Sequence, residues 1–290
     1  MVGPMNQTGS VDAATGSDVA RAIVAATIHG PMVVLCHDTV VGRFLGLYGE
    51  FAQAQARLLT AMVGPGDVVV DVGANVGASV LPFARGVGPS GRVLAFEPQP
   101  VIAACLERTL ALNGLAQVEV RRCAVGAAAG VIDLALIDAG APENYGAAPL
   151  RREGPGATVR TPIVALDGLG FDRCDLLKID AEGMDPDVIA GARTLLGTFR
   201  PVVYFEAHRG PGTLAALADL AASGYRSWWH HSTYLDDPPF RGVCPPPMRG
   251  RGDLNVLGLP VGRDAPVGLR PTGTLDVAAA MLRARAAGAR

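Results

Sequence analysis

Lysine is nearly absent from this 290-residue chain: of 25 basic residues, 24 are arginine and one, Lys178, is lysine. Arginine serves at ordinary surface positions, so the one place that keeps a compact ammonium is a place where shape matters. An excess of either charge is missing as well. Twenty-five bases face 27 acids for a net charge of −2, and the longest basic runs are the pairs Arg121-Arg122 and Arg151-Arg152. That excludes a dedicated nucleic-acid surface, which needs clustered positive charge. The five cysteines (Cys36, Cys105, Cys123, Cys174 and Cys244) are odd in number, widely spaced and without a CxxC pair. Such a set excludes a disulfide frame or a zinc knot and fits reduced thiols in a cytoplasm, the expected location. No apolar run reaches membrane-spanning length, and no basic start followed by an apolar stretch opens the chain. Neither a membrane partner nor a signal peptide is therefore expected.

What is present reads as one α/β domain, long enough for a full core. Residues 1–16 are rich in Gly, Ser, Thr and Asn, and disorder is expected there. A short helix is expected over 17–28, then a β-hairpin through 31–42 turning at His37-Asp38. A helix over 50–62 places Phe51, Ala54, Leu58 and Met62 near one face. Strands at 67–72, 92–97 and 117–122 then alternate with helices at 78–86 and 99–113. An antiparallel insertion pairs 130–137 with 158–164. Strand 175–180, helix 186–196, strand 201–206, helix 213–223 and strands 225–230 and 253–258 follow, and a helix over 274–287 closes the chain. This alternation predicts a doubly wound, mostly parallel sheet covered on both faces. The expected organisation is an N-terminal extension over 1–43, one domain over 44–260, and a linker and helix over 261–290.

The most informative segment is DVGANVG at 71–77, which follows the apolar run Val68-Val69-Val70. A second apolar run, 93–96, ends in Glu97. An acid closing one strand, a glycine-bearing turn into a helix, and an acid ending the next strand make up the grammar of a nucleoside-binding half-domain. Gly73 and Gly77 permit a sharp turn and a close backbone approach. Glu97 is placed to accept both hydroxyl hydrogens of a ribose. A dinucleotide site would want G-x-G-x-x-G, but two positions after Gly73 stands Asn75. Asp71 stands where a carboxylate can meet an amine-bearing ligand, which favours S-adenosylmethionine over NAD.

Eight blocks in order carry a resemblance: YGEFAQAQARLL (48–59), GDVVVDVGANVGASVLPFA (66–84), GRVLAFEPQP (91–100), RRCAVGAAAG (121–130), NYGAAPL (144–150), LLKIDAEG (176–183), PVVYFE (201–206) and DLNVLGLP (253–260). From residue 44 to 260 the chain resembles the FkbM-type methyltransferases. The resemblance implies the class I, Rossmann-like methyltransferase fold, with seven strands of which the last is antiparallel. It also implies methyl transfer to a hydroxyl of a sugar or polyketide-like acceptor, and makes Asn144 and Tyr145 candidates to face that substrate.

Ligands of such sheets bind beyond the C-terminal strand ends, which gathers Asp71, Glu97, Ala124, Asp180 and Glu206 on one edge. The cofactor is expected over Asp71, Gly73, Asn75, Gly77, Glu97 and Ala124, and the acceptor over Asp180 and Glu206. An aliphatic hydroxyl barely ionises at neutral pH, so a base or a metal must assist. Lys178, Asp180, Glu206 and His208 are the catalytic candidates. Two carboxylates ending adjacent strands share a proton or hold a cation, either Lys178 or a divalent ion such as magnesium. With Lys178 beside the pair, the metal-independent route is the expectation, and a structural Lys178–Glu206 ion pair is the bland alternative. His208 at its ordinary pKa suits a general base.

Two readings compete: an NAD-dependent oxidoreductase, and a catalytically silent module that keeps the cofactor pocket. Other signals are set aside. Asp237-Pro238-Pro239-Phe240 matches a DPPF tetrapeptide but falls after the wrong strand and reads as a turn. Arg251-Gly252-Asp253 spells an adhesion tripeptide without meaning here. His230-His231 and Cys244 lack metal-ligand spacing. Trp228-Trp229 is expected to be core on one side and pocket wall on the other.

Overall fold

Three consecutive valines make Val68–Val72 a strand buried along its whole length, and it sits inside an eight-stranded sheet with helices on both faces. The structure, a computed structural model, describes residues 21–148, 150, 156–208 and 210–273. In chain order the elements are β1 (Ala22–Thr27), β2 (Gly30–Leu35), α1 (Val41–Tyr48), α2 (Gln53–Thr60), β3 (Val68–Val72), α3 (Val80–Val87), β4 (Arg92–Phe96), α4 (Pro100–Asn113), β5 (Val118–Arg121), β6 (Ala124–Val125), β7 (Gly130–Ala135) and β8 (Thr158–Val164). Then come β9 (Leu176–Ile179), α5 (Asp185–Ala190), α6 (Arg193–Phe199), β10 (Val202–Glu206), α7 (Pro211–Ala222), β11 (Tyr225–Thr233), β12 (Gly252–Pro260) and β13 (Arg270–Pro271).

The sheet order is β13-β11-β12-β10-β9-β3-β4-β5. Pairing is parallel from β5 through β10, and β12 runs antiparallel between β10 and β11. This is the seven-stranded class I methyltransferase order, extended at one edge by the two-residue β13. Alternate side chains divide the core. Val69, Leu176, Tyr204 and Leu257 join the cluster under the hairpin, α3 and α4. Val70, Leu177, Phe205 and Val256 join the one under α5, α6 and α7. The insertion forms a separate three-stranded sheet, β6-β8-β7, with β7 and β8 antiparallel as expected.

Three local expectations are corrected. Residues 22–27 are strand, not helix, and the hairpin turns at Ile28-His29 rather than His37-Asp38. The hairpin is fixed by tertiary contact, since Met32, Val34 and Leu35 are core and the Val33 amide donates to Thr109 Oγ1 of α4 at 2.9 Å. The helix expected over 186–196 is two helices, α5 and α6. Gly191, where a Cβ would overlap the carbonyl oxygen of Gly126, lies between them. The Asp167 carboxylate then accepts the Thr194 and Leu195 amides at 2.9 and 2.8 Å, satisfying donors that open α6. The helix expected over 274–287 lies outside the described residues. No helix among those described is long and apolar enough to cross a membrane.

Candidate active site

A cavity of about 450 Å³ opens at the C-terminal ends of β3, β4, β9 and β10, where the sheet leaves strand ends uncovered. Its walls include Gly73, Asn75, Glu97, Ala124, Asn144, Tyr145, Lys178, Asp180, Glu206 and His208. Two predicted site residues do not line it: Asp71 and Gly77.

At one end stands Glu97, 5% exposed. Its Oε1 accepts the Gln99 amide at 2.9 Å and its Oε2 accepts the Asn75 amide at 3.0 Å. Each oxygen keeps a lone pair, the arrangement that receives two adjacent hydroxyls. Burial pushes its pKa up to about 7, against those two amide hydrogen bonds. Asn75 holds its turn at φ 50°. Ala124 and Ile102, both 2% exposed, contribute apolar wall. Gly73 and Gly77 make the turn at φ 77° and 101°. Gly73 is required as well because a Cβ would overlap the Asp180 carbonyl oxygen, and a Cβ at Gly77 would meet Leu106.

Asp71 is fully buried beneath the cavity floor. Its Oδ2 accepts from Ser79 Oγ and its Oδ1 lies 3.1 Å from Lys178 Nζ. The sole lysine is thus the counter-ion of Asp71, with Asp180 Oδ2 at 3.5 Å and a hydrogen bond of 3.2 Å to the Gly73 carbonyl. Burial works against the ammonium, but Asp71 and Asp180 more than offset it and hold its pKa above the ordinary lysine value. No described ion pair joins Lys178 to Glu206, which corrects the expected alternative; of the two strand-end acids Lys178 meets Asp180. Held protonated, Lys178 is not a base.

His208 does not keep its ordinary pKa. Its Nε2 lies 3.6 Å from Asp185 Oδ2 and 3.5 Å from Glu206 Oε2. Asp185 first, and then Glu206, outweigh burial and push the imidazole up to about 9. Glu206 is itself pushed up, by burial and by the Asp180 and Asp253 carboxylates, against His208.

Three cavity residues escaped the sequence reading. Glu182, inside the block LLKIDAEG, adopts φ 47°, and burial with Asp180 nearby pushes its pKa up to about 8. Asp253, passed over in an RGD tripeptide, accepts from Tyr234 Oη at 2.7 Å. Ser232 pairs with Asp253 across the β11–β12 ladder. Strand-end position was the available signal for Asp253, but the antiparallel β12 brings its beginning, not its end, to this edge. Neither tryptophan lines the cavity: Trp228 packs in one core cluster and Trp229 against the other. The DPPF loop gives its Phe240 amide to Glu50 Oε2 at 2.6 Å, a structural turn.

The family model for the methyltransferase FkbM domain matches residues 71–227, more than half of the chain. The methyltransferase sdnD of Sordaria araneosa is 31% identical over 155 residues, 42% of this chain and 59% of that protein. The 31-O-demethyl-FK506 methyltransferase FkbM of Streptomyces tacrolimicus is 31% identical over 186 residues, 54% of this chain and 71% of that protein. Among solved structures, the methyltransferase FkbM from Methylobacillus flagellatus KT is 17% identical with a TM-score of 0.45, covering 67% of this chain and 43% of that one. This chain therefore spans about three fifths of the sdnD protein and less than half of the crystallised one. On the extent of the domain match, this chain belongs to the FkbM methyltransferase family.

Proposed function

We propose that this chain transfers the methyl group of S-adenosylmethionine to a hydroxyl of a small acceptor, a sugar or polyketide-like molecule. One observation carries the reading: a single cavity joins Glu97, with its two free lone pairs, to the Asp180 and Glu206 carboxylates. The residues fit the cofactor. Glu97 supplies the ribose acceptors, Gly73–Asn75 the close turn, and Ala124 and Ile102 an apolar wall for a base. The bound cofactor supplies an electrophilic methyl group on a sulfonium. The chain must orient an oxygen toward it and take that oxygen's proton. Lys178 is held by Asp71 and His208 faces Asp185, so Asp180, on the cavity wall with a 42% exposed side chain, is the group placed for that task. The FkbM relative is named a 31-O-demethyl-FK506 methyltransferase, which supports an oxygen acceptor.

Calorimetry with S-adenosylhomocysteine and with NAD separates a methyltransferase from an oxidoreductase. A radiolabelled-methyl assay over hydroxylated and amine acceptors then tests the acceptor atom. Binding of NAD alone, or methylation of amines alone, would overturn the proposal. A catalytically silent module would bind S-adenosylhomocysteine yet label no acceptor in any panel.

A further inference from the structure

We infer that Asp38 is a positioning residue for the cofactor: it latches the loop of residues 138–148 onto the turn that carries Asn75, at the Glu97 end of the cavity. The inference rests on the S-adenosylmethionine reading above, and it adds a residue that lies before the matched residues 71–227. His37-Asp38, expected as a hairpin turn, is instead where the N-terminal segment meets this loop, through a parallel bridge between Asp38 and Glu143.

The latch is held from both sides. Asp38 is 3% exposed. Its Oδ1 accepts the Val40 amide at 3.1 Å and its Oδ2 the Gly42 amide at 2.8 Å, which fixes the carboxylate at the opening of α1. The Tyr145 amide hydrogen-bonds the same carboxylate. Backbone bonds run alongside. The Thr39 amide donates to the Glu143 carbonyl at 3.0 Å, and the Glu143 amide donates to the His37 carbonyl at 3.3 Å. Tyr145, also 3% exposed, turns its hydroxyl back to the Ala141 carbonyl at 2.8 Å and braces the loop from within.

The other side of the loop faces the cofactor end. Asn144 through Ala148 line the cavity beside Val40 and Val41. Gly146 lies so close that a Cβ on it would stand 3.3 Å from Asn75 Nδ2 and 3.6 Å from Val41 Cγ2. Asn75 in turn gives its amide to Glu97 Oε2. Asp38 itself does not line the cavity, so it acts through this loop and through the valines that follow it.

A separate observation points to a ligand. Asn144 Oδ1 is buried on the cavity wall and has no hydrogen-bond partner among the described residues. Such an oxygen is satisfied when a ligand brings an N–H or O–H donor, and S-adenosylmethionine carries both, in its ammonium and its ribose. A loop already held in its bound shape spares that ligand the cost of ordering it.

The test compares wild type with D38A, by hydrogen exchange read by mass spectrometry and by calorimetry with S-adenosylhomocysteine. D38A should speed exchange in residues 138–148 by about 10-fold or more, while strands 68–72 and 202–206 keep wild-type protection. Its affinity should fall by about 10-fold, the ordering of two or three side chains. At saturating S-adenosylhomocysteine the D38A loop should return to the slow exchange of the bound wild type, because the ligand then orders what Asp38 no longer holds. A residue that only supports the fold would give no such recovery. Unchanged loop exchange in D38A, or loop exchange that stays fast at saturation, overturns the inference. Should D38A not fold, D38N, which keeps the side-chain shape, carries the comparison on the same terms. Wild type that binds no S-adenosylhomocysteine sinks the methyltransferase reading and the latch's cofactor role with it. Equal binding by wild type and D38A sinks the latch alone.

Discussion

Lys178 and Asp71 are register partners in the β3–β9 ladder, and their charged atoms meet at 3.1 Å with 5% and 0% of the side chains exposed. The one lysine of the chain thus stands at the cavity wall with its ammonium held against the buried Asp71.

Removing one member of such a pair strands a charge in a dry interior. K178M should lower unfolding free energy by about 3–5 kcal/mol, with D71N/K178M recovering part of the loss. K178R keeps the charge, but the fork does not fit where an ammonium sits between Asp71, Asp180 and the Gly73 carbonyl, so it too should melt lower. Urea denaturation checks both; a K178R variant as stable as wild type would contradict this placement.

E97Q keeps the shape of Glu97 and removes its charge. Binding of S-adenosylhomocysteine should weaken by about 1.5–3 kcal/mol. The pH dependence adds a sharper test. Ribose hydroxyls favour the ionised carboxylate, so binding expels its proton. Affinity should therefore rise as pH climbs toward about 7 and level off above it. In E97Q that slope should vanish. Calorimetry across the range decides the matter, and a slope retained in E97Q assigns the titration elsewhere.

For His208 the sign runs the other way. Its folded pKa, raised to about 9 chiefly by Asp185, exceeds the ordinary 6.5. The stability it confers is complete below 6.5 and disappears as pH rises through about 9. The melting temperature of H208Q should fall short of wild type in acid and converge with it in alkali. A gap of constant size would show that the imidazole acts by packing rather than charge.

Two glycines with positive φ should respond differently to alanine. Gly73 has φ 77° and faces the Asp180 carbonyl, so G73A should cost more than about 4 kcal/mol or fail to fold. Gly170 has φ 65° and open space where its Cβ would lie, so G170A should cost only about 1–2 kcal/mol. Comparable losses would mean backbone conformation, not the approach of Asp180, sets the requirement at 73.

The strands at 68–72, 92–96 and 202–206 were legible because buried parallel strands are continuous apolar runs bounded by turns. Glu97, Asp180 and Glu206 were legible for the same reason, since each sits at such a run's end. Asp253 was not. It starts its strand, and only the reversal of β12 between β10 and β11 carries it to the others. The hairpin at 22–35 was misplaced because its pattern does not separate strand from helix until α4 provides the surface that it covers.

By itself, then, the sequence determined what local chemistry and periodicity can encode: a doubly wound sheet, a nucleoside-type turn at 71–77, and acids waiting at strand ends. Which charges meet was decided by the tertiary structure alone. Lys178 is two residues from Asp180 and 28 from Glu206, and spacing cannot say that its nearest carboxylate is Asp71, 107 positions back. Strand order makes that choice. Placing β3 beside β9 brings the only lysine to Asp71, and placing β9 beside β10 brings Asp180, Glu182 and Glu206 together with no described ion pair from Lys178 to Glu206.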